Sequence, residues 1–160
     1  MAGFPGLEVG VDGTAYIDPE SMDRTMAAIA ALGARRQLVL PEREELPDDA
    51  FTLLDTTAAR YGIVLHFLPV SDFSVPGDET LHQWNALRPE LQDGFDMGDT
   101  LAVACQYGAG RSGLFTAMML VERGMTPPQA IARVRRAFCE AIENTAQESW
   151  LSDYAEKIGK

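Results

Sequence analysis

Cysteine is scarce in this chain: there are two, Cys105 and Cys139. Two thiols in 160 residues exclude a disulfide scaffold as the main source of stability, and point to a reducing compartment. Histidine is equally sparse. His66 falls in an apolar stretch and His82 in a helical one, so both are expected to be structural. No His/Cys/Asp cluster has metal-ligand spacing, and nothing in the pattern requires a metal or another cofactor. Positive charge is also short, with 13 Lys and Arg against 24 Asp and Glu, for a net charge of −11. Nucleic acid and anionic membrane surfaces repel such a chain, so neither is an expected partner. No apolar run approaches the ~18 residues of a membrane span. The first residues, MAGFPGLEVGVDG, lack the basic-then-apolar order of a secretory leader. The expectation is a soluble cytoplasmic protein, with a monomer favoured but no oligomeric state specified.

What is present is apolar content: 46% of residues are hydrophobic, enough for one core and one domain over residues 1–160. Residues 7–17 alternate and are punctuated by glycine, which predicts a short strand or hairpin. Asp18-Pro19 reads as a helix cap followed by proline at the first helical position, with a helix to about Gly33. Buried strands are expected at 36–41, 62–70 and 99–104. Helices are expected up to about Tyr61, from a capping Asp78 through Leu91, from Ser112 to about Gly124, over about 127–139, and over 147–157. Alternating strands and helices predict an α/β domain, a central sheet flanked by helices on both faces. Ligands of such folds bind beyond the carboxyl ends of the strands. Strand 99–104 ends at Cys105.

The stretch beginning there is CQYGAGRSG, residues 105–113. It joins a strand end to a helix start. Gly108 and Gly110 let the backbone approach a ligand closely. Successive amides of Gln106, Tyr107, Gly108, Ala109 and Gly110 can converge on one anion, aided by the helix N-terminus. Arg111 adds a two-toothed donor suited to phosphate. A thiol placed at the floor of that pocket is favoured as thiolate, a strong nucleophile towards a bound tetrahedral anion. Ser112 can hydrogen-bond the sulfur as it leaves. The chemistry implied is attack on phosphorus, giving a phosphocysteine that water then hydrolyses.

CQYGAGRSG resembles the phosphate-binding loop of the cysteine-dependent protein tyrosine and dual-specificity phosphatases, Cys-x5-Arg-Ser/Thr. The likeness spans about 64–154 and suits the small atypical dual-specificity type. It implies Cys105 as nucleophile, Arg111 as phosphate ligand and transition-state stabiliser, and Ser112 as helper in the breakdown of the intermediate. Residues 69–76, PVSDFSVP, are similar to the family's acid loop, which implies Asp72 as general acid and then base. Residues 141–147 resemble a segment where some members place a glutamine near the hydrolytic water, here Gln147. One departure stands out. The residue before the nucleophile is Ala104, where most members have histidine, so the loop amides, the helix and Arg111 must stabilise the thiolate alone.

The variable loop positions Gln106, Tyr107 and Ala109 carry no extra base, unlike many members that act on inositol phosphates. A phosphoprotein substrate is therefore expected, phosphotyrosine first, with phosphoserine or phosphothreonine admitted by a shallow pocket. Arg133, Arg135 and Arg136 read as a solvated helix face, and Cys139 as a surface thiol rather than a redox partner of Cys105. Two other classes of reading stay open. One is a phosphopeptide-binding pseudophosphatase, favoured only by Ala104. The other is a different anion enzyme with a Cys loop, an arsenate reductase or a sulfur transferase.

Overall fold

Residues 34–40 supply the centre of the molecule because their apolar side chains alternate between two faces. The computed structural model describes residues 1–159. In it β3 (Ala34–Val39) lies between β4 (Val64–Phe67) and β5 (Thr100–Ala104), all parallel. Leu38 and Leu40 point into a cluster with Leu68, Val103, Trp84, Phe115 and Met118. Ala34 and Val39 point the other way, towards Met22, Met26, Phe51 and Leu54. Each face therefore needs a helical cover. One is α1 (Pro19–Ala31) with α2 (Ala50–Arg60). The other is α3 (Asp78–Asp96), α4 (Gly110–Glu122), α5 (Pro127–Ala137) and α6 (Thr145–Ile158). The expected α/β architecture with helices on both faces is what the chain adopts.

The hairpin expected over 7–17 is present as β1 (Leu7–Val9) paired antiparallel with β2 (Ala15–Ile17). Asp18 caps α1 by accepting from the Glu20 amide, with Pro19 inside the first turn, as the sequence implied. Asp78 does not cap α3. Gly77 holds the N-cap position and Asp78 is the first helical residue, where its charge favours the positive end of the helix. The first residues do more than precede the hairpin. The Ala2 amide donates to the Val103 carbonyl at 2.9 Å and the Phe4 amide to the Gln106 carbonyl at 3.0 Å, extending the sheet beside β5. Phe4 is buried against Phe51.

A buried carboxylate ties three helices together. Glu122, at the end of α4, accepts from the Trp84 indole at 2.9 Å, from Arg88 at 3.3 Å and from the Tyr154 hydroxyl. Burial and the bond to Glu122 push the Tyr154 hydroxyl up from its ordinary value, so it stays a donor. This network anchors α4, the helix that begins at the functional loop. No helix among the described residues is long and apolar enough to cross a membrane.

Candidate active site

β5 ends at Ala104, α4 starts at Gly110, and residues 105–109 form the turn between them. The turn curls around the Cys105 sulfur. Sγ accepts from the Gly108 amide at 3.1 Å and lies 3.4 Å from Ser112 Oγ. Gly108 has φ +99°, and a Cβ there would fall 2.5 Å from the backbone of Ala2 and Gly3. Only glycine fits both the dihedral and the N-terminal segment pressed behind the loop. Cys105 and Ser112 are buried. Ala104 is also buried, and its carbonyl accepts from the Leu40 amide. The thiol is served by one amide and one hydroxyl.

Arg111 is not a solvated helix start. Its side chain is 2% exposed, and its Nη1 donates to Glu45 Oε1 at 2.6 Å and to the Val70 carbonyl at 2.8 Å. Its Nη2 meets Asp72 Oδ1 at 3.0 Å. Burial opposes the guanidinium charge, but the bond and field of Glu45, then Asp72 and Cys105, outweigh it and hold the group charged. The two nitrogens thus differ: Nη1 is tethered to the scaffold, while Nη2 faces a half-exposed carboxylate on a loop. An anion bound on Arg111 competes with Asp72 for Nη2.

Sequence reasoning missed Glu45. It sits in a single 3₁₀ turn, Arg43–Glu45, whose local pattern reads only as a charged loop. Its Oε1 also accepts from the Glu42 amide at 2.9 Å, which fixes the carboxylate before Arg111 arrives. A proline-flanked capping pair, Glu42 with Glu45, was the available signal. Glu45→Gln keeps the shape and loses the charge. A hydrogen bond to a charged group is worth about 1.5–3 kcal/mol. We therefore expect kcat for an aryl phosphate to fall roughly 10- to 100-fold, with a lower melting temperature by circular dichroism.

The loop carrying Asp72 is held from below by the start of α6 and the residue that caps it. The Asn144 side chain donates to the Phe73 carbonyl at 2.9 Å, and Gln147 Nε2 donates to the Ser74 carbonyl at 3.2 Å. Phe73 sits at φ +55°, an uncommon backbone for a bulky residue, next to Asp72. Gln147 is fully buried, and its Oε1 accepts from the Glu143 amide at 3.1 Å. Both ends of its amide are therefore engaged in joining the two loops. Just before α6, Glu143 reaches the start of α4: a Cβ at Gly110 would lie 1.8 Å from its Oε1. Burial, then the charge of Asp72, push the Glu143 carboxyl up from its ordinary value, with Arg111 pulling the other way.

The remaining loop positions divide into backbone and rim. Ala109 is buried and Tyr107 is 68% exposed, its hydroxyl donating to Glu140 at 2.9 Å. Gln106 turns its carbonyl back to Phe4. Beside the loop runs an open groove of about 720 Å³, lined by Tyr107, Ala109, Cys139, Glu140 and Glu143 among others. Cys105 and Cys139 are both free thiols, one buried and one exposed. Arg135 is not a purely solvated residue, since it donates to the carbonyls of Ala141 and Ile142 and to Glu148, pinning the segment that carries Glu143.

Comparison with known proteins identifies a family and a fold. The family model described as "Swiss Army Knife protein, DSP-PTPase phosphatase domain" matches residues 14–157. The "Probable protein tyrosine phosphatase type IVA A" of Dictyostelium discoideum is 31% identical over 96 residues, 60% of this chain and 57% of that protein. The matched stretch thus spans little more than half the length of such relatives. Among solved structures, kinase associated phosphatase (KAP), carrying serine for its catalytic-site cysteine, superposes with a TM-score of 0.78 at 22% identity, over 98% of this chain and 85% of that one. Tk-PTP in its active form gives 0.69 at 26% identity, over 84% and 86%.

Proposed function

Because the chain belongs to the DSP-PTPase phosphatase family, we propose that it is an active phosphatase that hydrolyses phosphate monoesters on proteins through a phosphocysteine. Phosphotyrosine is the first substrate class and phosphoserine or phosphothreonine the second. The observation that carries the reading is the joint geometry of Cys105, Arg111 and Asp72. A thiol held by a loop amide faces an anion-binding turn, and the arginine of that turn is paired with the carboxylate of a separate loop.

In the first step the phosphoryl oxygens lie on the loop amides and Arg111, and the Cys105 sulfur attacks phosphorus. Asp72, displaced from Nη2, takes up a proton from solvent and gives it to the leaving oxygen, so that no bare alkoxide is released. Asp72 is then a carboxylate, and it accepts the proton that the attacking water gives up in the second step. In that step water displaces sulfur, and Ser112 with the Gly108 amide stabilises the departing thiolate. The loop's backbone donors recognise the phosphoryl group and leave the rest of the substrate to the rim. The open rim beside Tyr107 suits a protein-borne phosphate rather than an enclosed small molecule.

The test is release of phosphate from p-nitrophenyl phosphate and from a phosphotyrosine peptide at pH 5–8, with EDTA present. Wild type should turn over both. Asp72→Ala should lower kcat about 100-fold, with the larger loss on the peptide, whose tyrosyl oxygen is the poorer leaving group. Folded wild type that binds the phosphopeptide without turnover would replace this reading with a binding module, and Ala104→His would be the next variant. Thiol-dependent arsenate reduction or sulfur transfer without phosphatase activity would replace it with the other anion enzyme.

A further inference from the structure

The loop that carries Asp72 is held on both sides of that residue. On the far side, Asn144 and Gln147 donate to the carbonyls of Phe73 and Ser74. On the near side, the Ser71 hydroxyl donates to Glu42 Oε1 at 2.9 Å. Asp72 is therefore a single residue between two clamps. Glu42 directly precedes the 3₁₀ turn Arg43–Glu45, and it and Glu45 cap that turn reciprocally. Glu45 in turn holds Arg111. One short turn thus grips both members of the Arg111–Asp72 pair: the arginine through Glu45, and the loop of the carboxylate through Glu42. We propose that Glu42 is a positioning residue for Asp72, tying down Ser71 so that Asp72 stays within reach of the leaving oxygen once Arg111 Nη2 passes to the phosphoryl group. The proposal rests on the phosphatase reading above and adds to it the group that holds the acid in place.

The need for such a hold follows from the exchange itself. Without ligand, the ion pair with Nη2 keeps Asp72 at the site. A bound phosphoryl group takes that nitrogen, and its charge repels the carboxylate. Phe73, the next residue, sits at φ +55°, so the backbone there gains by relaxing to another conformation. Both effects move Asp72 away at the moment it is needed. A proton donor misplaced by about 1 Å loses much of its effect. The Ser71–Glu42 bond does not depend on Arg111 Nη2, so it persists through the exchange. It also lies outside the reach of the phosphate loop, because Glu42 is joined to that loop only through Glu45 and Arg111. Ser71 is exposed and Glu42 half-buried, so water competes for the bond and its worth is smaller than that of the buried Glu45–Arg111 contact. The bond asks for an acceptor oxygen at position 42, which an amide also supplies.

The experiment compares two aryl esters on wild type, Ser71→Ala, Glu42→Ala and Glu42→Gln. Phenyl phosphate has a poor leaving group that needs a proton, and 2,4-dinitrophenyl phosphate a good one that does not. Ser71→Ala and Glu42→Ala should each lower kcat/KM for phenyl phosphate about 10-fold. Both should leave the dinitrophenyl ester within about twofold of wild type, with inhibition by inorganic phosphate unchanged. Glu42→Gln should recover most of the loss. On an Asp72→Ala background, Ser71→Ala should cost nothing further, because the residue it positions is gone. Equal losses on the two esters, no loss on phenyl phosphate, or a full additional loss on the Asp72→Ala background would each overturn the assignment. Ser71→Ala changes an exposed side chain, so it carries the test even if Glu42→Ala fails to fold. Wild type that hydrolyses neither ester would instead refute the phosphatase reading beneath it.

Discussion

Cys105→Ser should lose hydrolysis of p-nitrophenyl phosphate by about 10⁶-fold, the scale on which removing the nucleophile of a covalent mechanism acts. The reason is chemical rather than structural. The serine oxygen can still accept from the Gly108 amide and face Ser112, and the site is buried, so the loop keeps its shape. What disappears is the sulfur nucleophile, since a serine hydroxyl is a far weaker nucleophile towards a bound tetrahedral anion. The variant should therefore still bind a phosphotyrosine peptide while releasing no phosphate, and no +80 Da adduct should form. Calorimetry for binding and malachite-green detection for turnover separate the two properties. Activity within tenfold of wild type would remove Cys105 from the mechanism, whatever the loop resembles.

The fold and the loop were legible for a shared reason: both are written locally. Apolar strands punctuated by caps and prolines define β3 to β5 and the helices around them, and CQYGAGRSG sits within nine consecutive residues at a strand end. Asp72 was singled out through its loop's likeness to a known one, while its pairing with Arg111 is a contact between distant segments. What stayed hidden is set by pairs far apart in sequence. Glu45 and Arg111 are 66 residues apart and meet only because β3 and β5 are neighbours, which brings the loop after β3 to the loop after β5. The placement of Gln147 in the interior and of Glu143 against Gly110 depends on which side of a short segment faces inward. That choice is fixed by Arg135 gripping the carbonyls of Ala141 and Ile142, and by Ile142 at φ +59°. No local pattern marks that turn.

Arg111→Lys should lower kcat/KM by about 10³-fold or more, the scale on which an arginine acts in phosphoryl transfer. The charge is retained, so the loss measures geometry. Arg111 holds Glu45 and the Val70 carbonyl through Nη1 while offering Nη2 to Asp72 or to a phosphoryl oxygen. A lysine ammonium is a single, strongly hydrated point and cannot keep the tether while handing over the second donor. Burial at 2% exposure adds a stability cost, because an ammonium is harder to desolvate than a guanidinium, so the melting temperature should fall as well. The tether can be tested in the same series. If Glu45 acts only by fixing Arg111, then adding Glu45→Gln to Arg111→Lys should cost far less than the 10- to 100-fold expected of it alone. Full additivity would mean that Glu45 reaches the reaction by another route. Arg111→Lys within tenfold of wild type would show that charge alone suffices, and that the exchange of Nη2 between Asp72 and phosphate is not part of the cycle.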